Sequence, residues 1–299
     1  MAINQLSAGV NVSEIDLTTT VPAVSTSTGA IAGPFQWGPV GVVSPISNEV
    51  QLVSRFGQPV DSITGSPATF FSAANFLQYS GSLNVVRAFG ATGIGNSATG
   101  ATGPAPTASL TLVKNGDDYN ARYSGTTNIP GLSWIGRYPG TIGNSLRVIT
   151  VDAATYSGAT GFSTTPGFVA FNTLFPTAPG TSTYAAKINP YANDEAHVVV
   201  VDQTGAFSGA AGTILETFPF VSKAYDAVDS TGNSSYIKNV INTKSAYIRY
   251  GNVPGATGSG GAWGQTVVAI GATGFAALSA VSDLALSGGI DSTIADSDY

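Results

Sequence analysis

Few residues of this chain could do chemistry, and its single histidine is the first to consider. His197 begins the run HVVVVD and follows Asp194 and Glu195. A catalytic triad or a zinc site would need partners for the imidazole, and the sequence suggests none. We therefore interpret His197 as a structural residue of a strand. The chain contains no cysteine, which excludes disulfides, thiolate metal sites and cysteine nucleophiles.

Two short motifs match cofactor-binding or catalytic signatures by their letters. The pattern G-x-x-G-x-G at 90–95 follows an apolar run, as in a dinucleotide-binding turn. Pro104 and Pro106 follow where a helix should open, however, and the third glycine of the fingerprint is missing. Ser235-x-x-Lys238 matches part of a penicillin-binding motif, but no Lys-Thr-Gly accompanies it. We predict no bound cofactor and no catalytic residue.

The acidic side chains do not suggest a catalytic pair or a metal site. Asp117 and Asp118 are neighbours in sequence and would point to opposite faces of a strand, and so would Asp194 and Glu195. Such pairs do not converge on a substrate by themselves. Three further aspartates lack the ligand spacing of an EF-hand loop: Asp291, Asp296 and Asp298. We predict no metal site.

The surface of the protein must be poor in charge. Of 299 residues, 9% are charged and 43% are hydrophobic, whereas typical soluble domains carry about 25% charged residues. The net charge is −6 and the 11 Lys and Arg do not cluster, which argues against nucleic-acid binding. No signal peptide is visible, and no apolar run reaches the ~18 residues of a membrane span. We expect no membrane insertion.

Residues 1–25 predict an extended N-terminal arm. Val10 and Val12 alternate with polar residues, and Ile15 and Leu17 do so on the opposite parity. The change of parity indicates a bulge or kink between the two pairs. No partner strand follows within hairpin distance, so this strand must pair elsewhere or stay mobile.

Residues 26–90 predict the start of an α/β base domain. Asn48 precedes an apolar pattern that stops at Gly57, which is typical of a helix. A second helix is predicted from Ser66-Pro67 to Gly81, with proline at its first position. The run Leu83–Phe89 then has the composition of a strand that is covered on both faces.

The chain after residue 90 predicts a linker and a β-rich domain. Residues 91–107 consist almost entirely of Gly, Ala, Thr and Pro, which favours a linker or long loop. Residues 108–285 predict a β-rich domain with one helix at Asn233–Asn242, and residues 286–299 an acidic, polar segment. Strands are expected at Ala108–Val113, Ser145–Val151, Ala196–Val201 and Val267–Ile270.

The stretch GPFQWGP at 33–39 is a rigid, aromatic segment between the arm and the base domain. Pro34 and Pro39 restrict the backbone at this point. Phe35 and Trp37 could anchor it in the core, so that a pull on the arm would reach the folded domain. We therefore predict an arm–body junction here. An ordinary proline-rich turn with core aromatics is an alternative and is compatible with that role.

Seven segments, taken in order, resemble contractile bacteriophage tail sheath proteins of the myovirus type. Together they extend over most of the chain. They are SAGVNVSEIDLTT (7–19), GAIAGPFQWGPV (29–40), VQLVSRFGQP (50–59), ANFLQYSGSLNVVRA (74–88), RYPGTIGNSLRV (137–148), AHVVVVDQTGAFSGAAGTILETF (196–218) and LALSGGID (284–291).

The resemblance implies a fold and a division into domains. It implies an α+β protein with an extended N-terminal arm, an incomplete α/β base domain and a β-rich inserted outer domain. Sheath proteins of this family usually continue beyond the LSGG segment into a shared α/β core and a C-terminal arm. This chain would then be either a truncated product or a short variant.

The resemblance also implies a function. The chain would be a structural subunit that polymerises as a helical tube around the inner tail tube and contracts to drive that tube through the host envelope. Its partners would be copies of itself, the inner tail tube protein, and baseplate and tail terminator proteins. It would be assembled in the host cytoplasm and located in the virion tail. Val10, Val12, Ile15 and Leu17 would link neighbouring subunits by adding a strand to a sheet edge.

Two other classes of function remain open on the sequence. A receptor-binding or adhesive surface protein would suit the neutral, Gly- and Thr-rich composition, although no repeats are evident. A glycan-active enzyme would need a converging set of acidic and aromatic residues, which the sequence does not offer.

Overall fold

The computed structural model describes residues 28–90, 95–100, 112–129, 131–156, 171–253, 262–291 and 294. Five α-helices and ten strands occur within them, in agreement with an α+β fold. The arm residues Val10, Val12, Ile15 and Leu17 lie outside the described residues. In chain order the elements are β1 (Thr28–Gly33), β2 (Ser44–Ile46), α1 (Glu49–Phe56), α2 (Ser66–Leu77), β3 (Ser82–Arg87), β4 (Ala98–Gly100), α3 (Gly116–Tyr123), β5 (Leu132–Gly136), β6 (Leu146–Asp152), α4 (Phe171–Leu174), β7 (Glu195–Asp202), β8 (Thr213–Ser222), α5 (Ile237–Lys244), β9 (Ile248–Tyr250) and β10 (Ser282–Ala285).

The first sheet has the order β1-β3-β2, with β1 parallel and β2 antiparallel to β3. Both α1 and α2 pack on one side of it and enclose a set of buried residues that we call the N-terminal core. Its members are Phe35, Ile46, Leu52, Phe56, Phe70, Ala73, Ala74, Leu83 and Val85.

Local sequence signals set the bounds of α1. The Asn48 side chain accepts a hydrogen bond from the Gln51 N–H at 2.8 Å, which caps the first turn. The Gln51 side chain in turn accepts the Ser47 N–H at 2.9 Å, so the two ends of the turn are joined reciprocally. Gly57 ends the helix with φ 79°, a conformation that glycine adopts without steric cost. The helix predicted between Asn48 and Gly57 is thereby confirmed.

Two further sheets follow. One has the order β4-β5-β9, and the other has the order β10-β6-β7-β8 with every pair antiparallel. They share a second set of buried residues, which we call the central core. Its members are Trp37, Trp134, Ile142, Leu146, Val148, Ala196, Val198, Val200, Phe218, Val221, Tyr236, Ile237, Ile241, Ile248, Tyr250, Val253, Trp263, Leu278 and Leu286.

Part of the predicted linker is a strand. Ala98–Gly100 forms β4 and pairs antiparallel with β5. The Asn96 side chain just before it accepts the Val113 N–H at 2.7 Å and donates to the Gly136 carbonyl at 2.9 Å. The linker prediction is therefore wrong for residues 95–100, because these side chains pair with elements that are distant in sequence.

The strand predictions had mixed outcomes. Those at Ser145–Val151 and Ala196–Val201 are confirmed as β6 and β7. The one at Val267–Ile270 is wrong, because these residues form turns. Val267 and Ile270 are buried while Val268 is 69% exposed. Buried side chains three residues apart do not follow the two-residue alternation of a strand. Of Ala108–Val113, only the last two residues are described, and they are not in a strand.

Candidate functional site at the junction of the two cores

All four residues of the predicted arm–body junction are buried at the end of β1. Pro34, Phe35, Trp37 and Pro39 follow Gly33, the last residue of that strand. β1 itself begins at Thr28, directly after the segment that carries the predicted arm. A load applied along β1 would pass to β3 through the ladder that pairs Thr28–Gly33 with Ser82–Arg87.

Phe35 and Trp37 lie in different cores although they are two residues apart. Phe35 packs in the N-terminal core, where its ring lies 4.8 Å from that of Phe56. Trp37 belongs to the central core and makes edge contacts with Tyr138 at 5.4 Å and Phe207 at 5.2 Å. The segment therefore joins the two cores through buried aromatic side chains.

Gly38 permits this close packing. Its φ of 101° is a conformation that residues with a side chain rarely adopt. A Cβ atom at this position would lie 2.7 Å from the Phe56 ring and 2.8 Å from the Arg55 carbonyl oxygen. Any larger residue would push the junction away from α1.

Arg87, the last residue of β3, holds the junction from the other side. The residue is 3% exposed, and its guanidinium donates to the carbonyls of Gly38 at 3.1 Å and Pro139 at 2.9 Å, and more weakly to that of Gln36 at 3.4 Å. Burial lowers the pKa of Arg87 to about 10, while the charge of Asp291 acts to raise it. The side chain is thus a buried cation at neutral pH that ties the backbone on either side of Trp37 to residue 139.

The segment after Pro139 is joined in turn to residues 287–291. Asp291 accepts hydrogen bonds from the N–H of Thr141 at 3.0 Å and from its hydroxyl. The Asn144 side chain accepts the Gly289 N–H at 2.7 Å and donates to the Gly289 carbonyl at 3.1 Å. The segments GPFQWGP, YPGTIGN and LSGGID, which are far apart in sequence, therefore meet around Arg87.

Sequence reasoning found the aromatic residues of this site but missed Arg87. One signal was available, because Arg87 is the only charged residue in the apolar run Leu83–Phe89. A cation in a strand covered on both faces needs buried acceptors. The sequence assigns Asp291 to an acidic, polar C-terminal segment, whereas its carboxylate caps the turn at Thr141.

The other residues that the sequence singled out do not converge. His197 lies on β7 and hydrogen-bonds to the backbone at Thr177 and Phe220. The Lys238 ammonium donates to the Thr127 carbonyl, and burial lowers its pKa to about 8.

Within the described part of the chain, no group of three His, Asp or Glu side chains is placed to hold a metal ion. No helix in that same part is long and apolar enough to cross a membrane.

Comparison with known proteins adds family information to this geometry. Residues 26–88 match the family model described as "Tail sheath protein Gp18 domain III N-terminal region". This range contains β1, the junction, both helices of the N-terminal core and β3 with Arg87.

Individual relatives agree with that match. The tail sheath protein of Enterobacteria phage T4 is 49% identical over 84 residues, which are 28% of this chain and 12% of the relative. That of Salmonella phage ViI is 30% identical over 187 residues, which are 62% of this chain and 24% of the relative. The crystal structure of a sheath tail protein from Listeria innocua aligns with 91% of this chain and 36% of its own at 13% identity, with a TM-score of 0.41. The matched stretches thus span at most about a quarter of the curated relatives' own lengths. Over these stretches the chain is similar to the tail sheath proteins of phages.

Proposed function

We propose that this chain is a structural subunit of a contractile tail sheath, which polymerises as a helical tube around the inner tail tube. The observation that carries the proposal is the family match over residues 26–88, which includes the complete junction. Contraction of the tube would drive the inner tube through the host envelope for genome delivery. The partners would be further copies of the chain, the inner tube protein, and baseplate and terminator proteins. This role requires no catalysis.

The proposed assembly sets a mechanical requirement on each subunit. An open helical lattice has head-to-tail contacts that never close on themselves. Subunits must stay connected while the lattice changes its geometry. An extended arm that adds a strand to a neighbour's sheet supplies main-chain hydrogen bonds together with freedom to pivot. We assign this role to residues 1–25, with Val10, Val12, Ile15 and Leu17 as the strand.

The junction would pass the load on the arm into the body. The arm leads into β1, which is paired with β3 over six residues. Phe35 and Trp37 fix the end of β1 in both cores, and Arg87 fixes it to β3. A pull on the arm would therefore act on the whole subunit instead of peeling one strand from its edge.

Electron microscopy of the full gene product tests the proposal. We expect negative staining of the concentrated protein to show rods or tubes of regular width. Isolated particles at every concentration and salt condition would contradict it. A receptor-binding protein would instead bind cells or glycans as a single particle. A glycan-active enzyme would release sugars and lose that activity when one carboxylate is changed without loss of folding.

A further inference from the structure

The β7–β8 pair contains an irregularity at His197. The register shifts between Ala196 and Val198, where the single residue His197 lies opposite two residues of β8, Pro219 and Phe220. Phe220, on the opposite strand, has φ 50°, which is unusual for a residue with a side chain. Such an irregularity is a β-bulge, in which one strand carries an extra residue and the ladder is locally interrupted.

The His197 ring supplies hydrogen bonds in place of the interrupted ladder. Its Nδ1 atom accepts the Phe220 N–H at 3.1 Å, so this nitrogen carries no proton. Its Nε2 atom lies 3.0 Å from the Thr177 carbonyl oxygen and must therefore be the protonated donor. The geometry fixes the neutral Nε2–H tautomer and joins β8 to the segment at Thr177.

Aromatic rings surround the imidazole. The Phe175 ring stacks on it at 4.3 Å with an interplanar angle of 11°. Phe220 makes an edge contact at 4.7 Å and Tyr156 another at 6.2 Å. His197 is fully buried, so a charge on its ring would be held in an apolar environment.

We propose that His197 is an acid-sensitive latch that holds the β8 bulge closed while its ring is neutral and releases Phe220 when the ring is protonated. Protonation places a hydrogen on Nδ1, directly against the Phe220 N–H, and so replaces a hydrogen bond with a repulsive contact. The Phe220 backbone is in a strained region, and the residue is already 41% exposed to solvent. Opening is therefore a local movement at the outer strand of the sheet.

The ionisable groups on the surrounding elements have partners of their own. Glu195, on the same strand, accepts the Gly180 N–H at 3.0 Å, and burial raises its pKa. Asp194 accepts the Ser182 N–H at 2.8 Å and the Ser222 hydroxyl at 2.6 Å. The Tyr156 hydroxyl donates to the Phe175 carbonyl at 2.5 Å. Glu216, on β8, binds Ser245 and Ala246, and burial raises its pKa.

The direction of the pH response follows from these contacts. Burial lowers the pKa of His197, and the Thr177 carbonyl opposes this shift. The closed state therefore binds fewer protons than the open state, whose pKa is near the ordinary value of about 6.5. The closed state is fully favoured at a pH above the ordinary histidine pKa, and its population decreases as the pH falls below it. Between the two pKa values the open population rises by up to about tenfold per pH unit, and it levels off below the pKa of the closed state.

Hydrogen exchange of the Phe220 amide between pH 4 and 8 tests the latch. After correction for the intrinsic pH dependence of exchange, we expect opening at Phe220 to increase as the pH falls below about 6.5. The Val199 amide, which lies on β7 where both neighbouring ladders keep their register, should not change. An equal change at Val199 would show global unfolding and would overturn the proposal, as would no change at Phe220.

Two variants distinguish titration from packing. His197→Asn retains an oxygen acceptor near the Phe220 N–H but cannot be protonated, so exchange at Phe220 should no longer respond to acid. His197→Phe keeps the ring without the acceptor, so exchange should be faster at every pH and equally insensitive to it. An acid response that persists in His197→Asn would overturn the proposal. If neither variant folds, the NMR titration of the single imidazole decides, since a folded pKa at or above 6.5 contradicts the latch.

Discussion

At the scale of single residues, Arg87 makes the largest number of links across the junction. Its side chain donates to the backbone carbonyls of Gln36 and Gly38, which flank Trp37, and to a third at Pro139. None of these acceptors is a carboxylate, so the bonds depend on the fork geometry of the guanidinium more than on its charge. Removing the side chain would leave buried carbonyls without a donor.

We predict that Arg87→Met lowers the free energy of unfolding by about 2–4 kcal/mol, since each unsatisfied buried polar group costs about 1–3 kcal/mol. Arg87→Lys should recover only part of this loss, because an ammonium cannot reach all three carbonyls. Urea unfolding followed by tryptophan fluorescence measures both. Arg122→Met is the matched control, because the Arg122 pair with Asp118 is partly exposed and such pairs contribute about 0–1 kcal/mol. Equal losses for residues 87 and 122 would contradict the role assigned to Arg87.

A second residue-scale prediction concerns the buried ion pair between Asp152 and Lys223. Their charged atoms are 2.8 Å apart and both side chains are 1% exposed. Asp152→Asn keeps the shape but leaves the ammonium without its counter-ion, so we expect a loss of about 3–5 kcal/mol in the free energy of unfolding. Adding Lys223→Met should restore most of it, because the buried charge is then gone as well. Asp118→Asn serves as the partly exposed control and should cost below about 1 kcal/mol.

The sequence predicts the burial of some of these residues but not the contacts that they make with distant parts of the chain. The burial of Phe35 and Trp37 could be predicted from residue type and from the flanking prolines. Their division between two cores could not, because it depends on Tyr138 and Phe207, which are distant in sequence. The structural interpretation of His197 agrees with its place on β7, but its hydrogen bond to Phe220 depends on a bulge that residue types do not encode.

At the scale of elements, α1 shows how a local signal defines a boundary. The Asn48 carboxamide and the Gln51 side chain exchange hydrogen bonds with the backbone of the first turn. We predict that Asn48→Ala lowers the free energy of unfolding by about 1 kcal/mol, whereas Asn48→Asp has little effect, because aspartate caps equally well. Thermal denaturation followed by circular dichroism measures the difference. Asn75→Ala, at an exposed position within α2, is the control, and a similar loss there would contradict the capping role.

Local signals also explain which elements were predicted. α1 is recognisable by its caps, α2 by the proline in its first turn, and β6 and β7 by their runs of mainly β-branched apolar residues. β4 was not, because three small residues in a Gly- and Thr-rich stretch become a strand only by pairing with β5. α5 was expected from Asn233 but begins at Ile237, after a turn in which the Asp229 side chain accepts the N–H groups of Thr231 and Asn233.

At the scale of the whole molecule, the proposed arm gives the most direct prediction. Ordering a strand costs about 1–2 kcal/mol of conformational entropy per residue. A lone strand cannot offset this cost, because its backbone groups stay bonded to water and it makes no cross-strand contacts. Pairing with a neighbour's sheet adds hydrogen bonds of about 0.5–1.5 kcal/mol each and buries four apolar side chains. Removal of Met1–Thr20 should therefore leave the thermal melt of the monomer nearly unchanged while preventing or weakening tube formation.

A point substitution makes the same test without shortening the chain. Val12→Pro removes a backbone donor from the proposed strand and should weaken tube assembly. Val12→Thr is the matched control, because it keeps the donor and the preference for a strand. Light scattering during assembly and electron microscopy of the product measure both. Normal tubes from Val12→Pro, or from the shortened chain, would contradict the linking role of the arm.

The burial of Trp37 in the central core also has a consequence for synthesis of the protein on the ribosome. The last member of that core, Leu286, is made about 250 residues after Trp37. At a translation rate of about 5–20 residues per second, roughly 12–50 s pass between the synthesis of Trp37 and that of the last residue that packs around it. Phe35 finds its partners much sooner, because the N-terminal core is complete at Val85. For most of its translation the nascent chain therefore exposes a tryptophan next to the segment that forms the N-terminal core, which makes this segment a natural point of contact for chaperones.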